Sequence, residues 1–142
     1  MKKAILTLVV LALACFVQAQ QIKESKVPVK IKNAFTSKNP DASIVRWEKQ
    51  KNNYKVVYSI ENSESSALYD PAGKMIEQEF TVSSNDLSSN IIEYLSNVEP
   101  KEPLSTIAIV KDASGSKSYK VLVHGMYYYF DAKEAFVKKL KQ

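Results

Sequence analysis

Residues 27–60, VPVKIKNAFTSKNPDASIVRWEKQKNNYKVVYSI, change their hydrophobic period part-way along, and that change constrains the fold more than any other stretch. Val27, Ile31, Ala34 and Phe35 recur at helical spacing and form one apolar stripe, with Lys30, Asn33 and Ser37 on the other side. Pro28 suits a first helical turn, and Asn39-Pro40 ends the helix because the residue before a proline is pushed out of helical geometry. From Ser43 the period is two: Val45, Trp47 and Lys49 alternate with Ile44, Arg46 and Glu48. Lys51-Asn52-Asn53 turns the chain, and Tyr54, Val56, Tyr58 and Ile60 return along one face. A lone hairpin is unstable in water, so its apolar side must cover the helix stripe.

The pattern then continues and comes back. A polar loop over 61–64 leads to a strand at 65–69, Asp70-Pro71-Ala72-Gly73 supplies turn chemistry, and a fourth strand spans 75–82. Ser83 to Asp86 offer a helix cap, after which Leu87, Ile91, Tyr94 and Leu95 stand 60 residues beyond Val27, Ile31, Ala34 and Phe35. Tyr119 to Val123 match Tyr54 to Tyr58 at a shift of 65, and Tyr128 to Asp131 match Ala67 to Asp70 at 61, so the copies differ by small turn insertions. The expected fold is α+β: a tandem repeat of a helix plus a four-stranded antiparallel sheet, in copies of about 24–82 and 84–142 that join or stack as one domain. Ala132 to Leu140 contain good helix formers, yet the repeat places an eighth strand over 136–140. Trp47 is assigned to the core.

The start of the chain bears on location. Lys2 and Lys3, the apolar run from Ile5 to Phe16 and the small residues of Val17-Gln18-Ala19 have the layout of a signal peptide over 1–19, too short for a membrane span. The mature chain would begin near Gln20, exported to the periplasm or cell envelope or secreted. Its only cysteine, Cys15, lies in the removed segment. Acylation at Cys15 is the alternative, but Ala12-Leu13-Ala14 fits the required box poorly. Without Lys2 and Lys3 the balance is 18 basic against 15 acidic side chains, spread along the chain, which gives no stripe for nucleic acid.

The run V-P-x-x-I-K-x-A-F from Val27 to Phe35, with Pro40-Asp41-Ala42, Val45-x-Trp47-Glu48, Tyr54-x-Val56-x-Tyr58 and Tyr69-Asp70-x-x-Gly73-Lys74, resembles the PepSY-like exported proteins of Bacteroidetes. Their fold is similar to that of the beta-lactamase inhibitory protein, BLIP. The motifs are sharp in the first copy; in the second, no tryptophan stands where Trp47 does and Asp131 has no following glycine. The resemblance implies a small binding module, not an enzyme, with helices behind an outward-facing concave sheet. A regulator of an exported peptidase, an envelope scaffold or a small-ligand binder are the other roles it leaves open.

The residues themselves offer little chemistry. One histidine, no mature cysteine and three glycines leave no metal set, activated nucleophile or phosphate loop, so no cofactor is expected. Asp70 and Asp131 lack the spacing of a calcium loop, and an aspartate opening a turn explains them more simply. Tyr127 and Tyr129 are more informative. If Tyr128 and Phe130 point inward like Tyr69, strand alternation sends both of them to the free face, where tyrosines suit protein or peptide recognition. Ordinary cross-strand packing would account for them equally well. Leu122, His124, Arg46 and Lys55 are their expected neighbours, with His124 placed on the Leu122 face of its strand.

Overall fold

A computed structural model describes residues 19–142. Residues 1–18 of the expected signal peptide over 1–19, Cys15 among them, lie outside the described residues. The described residues form nine strands in a single antiparallel sheet whose spatial order is the chain order. They are β1 (Gln20–Ile22), β2 (Ser43–Gln50), β3 (Asn53–Ile60), β4 (Ser63–Tyr69), β5 (Met75–Val82), β6 (Leu104–Asp112), β7 (Lys117–Val123), β8 (Met126–Phe130) and β9 (Phe136–Lys141). Two ten-residue helices, α1 (Val29–Lys38) and α2 (Ser89–Val98), precede β2 and β6. Each follows a short 3-10 turn and a buried aliphatic residue, Val27 or Leu87.

Both helices lie on the same side of the sheet. Ile31 and Phe35 of α1 pack with Trp47, Val56, Tyr58, Ala67 and Tyr69 in one core; Ile91 and Leu95 of α2 pack with Ile107, Val121, Val123, Tyr128 and Phe130 in another. Phe35 sits edge-on between Trp47 (6.0 Å, 80°) and Tyr58 (4.9 Å, 61°), the arrangement favoured by ring quadrupoles. Trp47 is 2% exposed, as expected of a core residue. Helix stripe and strand alternation thus meet as the sequence periods require.

Several expectations need correction. The two four-stranded sheets expected of the repeat are not separate but joined, the first of the two arrangements expected: β5 and β6 pair through Glu77–Val82 and Asp112–Ile107, so the ladder runs unbroken. Residues 20–22, to which the sequence pattern gives no element, form the edge strand β1 against Trp47 to Lys49. Val45 does not share the face of Trp47, because a bulge between Ile44 and Arg46 leaves it unpaired and 55% exposed. The loop at 61–64 shrinks to a two-residue turn in which Glu61 (φ 49°) and Asn62 (φ 66°) both take left-handed geometry, the pairing a tight hairpin needs. Residues 136–141 are a strand, in line with the sequence repeat and against local helix propensity.

Candidate functional site

Because both helices cover one side, no element among the described residues lies over the other side of the sheet. Strand register fixes what stands there. At the β7–β9 end, Leu122, Tyr127 and Leu140 are cross-strand neighbours in one row, and Lys120, Tyr129 and Lys138 in the next. Tyr127 is therefore flanked by two leucines and Tyr129 by two lysines. The two rings are 6.5 Å apart and tilted by 53°. Lys120 Nζ lies 4.5 Å from the Tyr127 ring centroid and Lys138 Nζ 5.1 Å from that of Tyr129. Lysines this close to ring faces gain from the ring quadrupole.

Lys120 is anchored. Its Nζ donates to both carboxylate oxygens of Glu79 on β5, at 3.2 and 3.3 Å. Burial alone would lower the lysine pKa, but the Glu79 carboxylate outweighs it and holds the group above its ordinary value. The Tyr129 hydroxyl is also pushed up, first by burial and then by Glu79, against the opposing pull of Lys120. Both shifts keep the Tyr129 hydroxyl neutral and Lys120 charged across the physiological range, so this pair offers hydrogen bonds and charge instead of proton transfer. Tyr128 points to the helix side, as expected, and its hydroxyl donates to Glu99 at the end of α2.

Arg46 and Lys55 share the uncovered side but stand at its other end. Arg46 Nε donates to Glu48 at 2.7 Å, and Lys55 is cross-strand from Glu48. Five strand spacings, about 24 Å along the sheet, separate β3 from β8. His124 leaves this face altogether: it occupies the β7–β8 turn with φ 48°, ahead of Gly125 at 73°, and its Nδ1 lies 3.3 Å from Glu102. The pair His124-Gly125 is a two-residue hairpin signal, which strand alternation overrode in the sequence reading. Among the described residues no three acidic or histidine side chains converge as metal ligands. The Asp70, Asp112 and Asp131 carboxylates instead accept backbone N–H groups of their own turns, from Lys74, from Ser114 and Ser116, and from Lys133 and Ala135.

No family model matches the chain, and no curated protein matches it significantly. Solved structures do. A protein assigned provisionally to the periplasm of Bacteroides eggerthii superposes with a TM-score of 0.72 at 13% identity, over 81% of this chain and 88% of its own. A DUF2874 family protein of Bacteroides uniformis gives 0.70 at 10% identity, over 80% and 88%. A BLIP-like protein of Bacteroides fragilis gives 0.63 at 17% identity, over 80% and 85%. The chain has a BLIP-like fold.

Within the BLIP-like sheet the two ends of the uncovered face are linked by a residue that the sequence reading passed over. Glu79 holds Lys120 at one end and, with Arg46, Lys55 and Val57, lines a small depression of about 70 Å³ at the other. Its strand falls within the expected 75–82, and alternation puts Glu79 on the face opposite Phe80 and Val82. What sequence could not supply was that β5 and β6 pair, which brings Glu79 across Val110 and Ala108 toward β7. Val57 and Ala108 are buried on this side although no element covers them. Val57 is paired with Arg46 and Ala108 with Lys120, two long side chains whose stems stand beside the shorter ones.

Proposed function

We propose that the protein is an exported, periplasmic, non-enzymatic module that recognises a protein or peptide through the uncovered face of its sheet. The observation that carries this is the pair of rows across β7–β9: a tyrosine between leucines beside a tyrosine between lysines, with no element over them. The two tyrosines carry the weight, because each combines rigid aromatic area with a polar tip and tyrosine is enriched among the residues that dominate binding at interfaces. Export is supported by the signal-like segment at 1–19 and by the periplasmic assignment of structural neighbours. The PepSY-like kinship and the duplication belong to the same reading, supported by the recurring order of 3-10 turn, helix and four strands.

The test is a double substitution, Tyr127→Ser with Tyr129→Ser, in capture from the native envelope. Both side chains are partly exposed and belong to neither core, so the domain should stay folded while capture falls at least tenfold. Capture at the wild-type level would remove the tyrosines from the site.

A further inference from the structure

On the helix side, the β5–β6 seam lies between the two cores and belongs fully to neither. Phe80 and Ile109 are cross-strand partners there, both half-buried, and neither packs into the cluster under α1 or that under α2. With Val82, Lys111 and Lys117 they line an open groove of about 280 Å³. The lysines are the unusual part. Lys111 and Lys117 are directly opposite each other on β6 and β7 and project to the same side, an arrangement in which like charges repel. Among the described residues neither has a carboxylate at ion-pairing distance. Asp112, next along the strand, alternates to the other side, and its Oδ1 is taken by the Ser114 and Ser116 amides. Lys111 Nζ instead lies 5.2 Å from the Phe80 ring centroid, at the apolar floor.

Two facing cations without an acid, at the end of a short apolar groove, call for an anion with an apolar body. The strands that form the floor are interior ones whose backbone groups are used in the ladder, so an extended peptide would find no edge to pair with. The volume is also small for a ligand site. We infer that the seam groove binds a small amphipathic carboxylate of the medium-chain fatty-acid class. The carboxylate bridges the Lys111 and Lys117 ammonium groups, and the chain lies over Phe80, Ile109 and Val82. This site is on the opposite side of the sheet from Tyr127 and Tyr129 and stands independently of the role proposed for them.

The experiment titrates the full mature domain with decanoate below its micelle threshold, following heat and the Ile109 methyl resonance. Decanol and decyltrimethylammonium serve as uncharged and cationic counterparts. Decanoate should bind saturably at one site, shift Ile109 and weaken as salt is raised, with decanol at least tenfold weaker and the cation not binding. Lys111→Gln with Lys117→Gln should lower decanoate affinity at least tenfold, whereas Tyr127→Ser with Tyr129→Ser should leave it unchanged. A wild-type domain that shows no saturable shift of Ile109, equal binding of decanol, or an unaltered affinity in the lysine variant would each overturn the assignment.

Discussion

The Tyr69 side chain carries its hydroxyl into the first core, where no acceptor meets it; the Trp47 indole N–H is in the same position. An unpaired buried hydroxyl keeps its desolvation cost with nothing to offset it, whereas the ring around it contributes apolar burial. Tyr69→Phe should therefore raise stability by about 1 kcal/mol, read as a higher urea midpoint at constant slope; a loss of that size would mean that the hydroxyl is partnered. The same burial pushes the Tyr69 pKa up from 10.0 to about 12, and Tyr128 rises to about 12 through burial and its bond to Glu99. A raised folded-state pKa means that folding retains a proton the unfolded chain releases. The contribution is intact below pH 10 and is lost as pH climbs toward about 12, so alkaline pH should unfold the domain. An ultraviolet titration should show Tyr69 and Tyr128 ionising late, toward about pH 12, together with loss of structure; ionisation of both near pH 10 in a domain that stays folded would contradict this.

At the level of elements, the hairpin turns show how local chemistry and the sequence pattern share control. Three turns open with an aspartate that caps its own backbone, and in each the fourth residue has positive φ: Gly73 at 83°, Gly115 at 84° and Glu134 at 66°. The last is the turn whose missing glycine marked the second copy as a departure, and it forms nonetheless, at the strain that left-handed geometry imposes on a residue with a Cβ. Glu134→Gly should stabilise by about 1 kcal/mol, less what is lost with the exposed Asn90 contact, and a lowered melting temperature would contradict that. Sequence periods located α1, α2 and the strands β2 to β5, because in each an apolar stripe had to meet a core, and the repeat carried strands over to 119–123, 128–131 and 136–140 in the second copy. They missed β1, whose Gln20-Gln21-Ile22 is too short to have a period, and the bulge at Val45, which breaks the alternation used to assign faces. The site was legible to the same extent. Tyr127 and Tyr129 follow from alternation along one strand, while Glu79 depends on a pairing between distant strands and His124 on a turn that ended its strand early.

For the whole molecule, the β5–β6 ladder makes one body of two cores that are each small for a stable domain. Trp47 reports the first core alone, so its fluorescence should change at the same urea concentration as the far-ultraviolet dichroism of the full sheet; two separated transitions would mean that the halves unfold independently. Gathering both helices on one side is also what leaves the other side free, and the proposed function rests on that asymmetry. A photoactivatable phenylalanine in place of Tyr127 tests it most directly, with the same group in place of exposed Ser96 on α2 as the reference, irradiated in the native envelope. A discrete adduct should form from position 127 and not from 96, and excess wild-type domain should suppress it while the Tyr127→Ser, Tyr129→Ser domain does not. Adducts from 96 alone, or equal suppression by both competitors, would contradict binding through the tyrosine face.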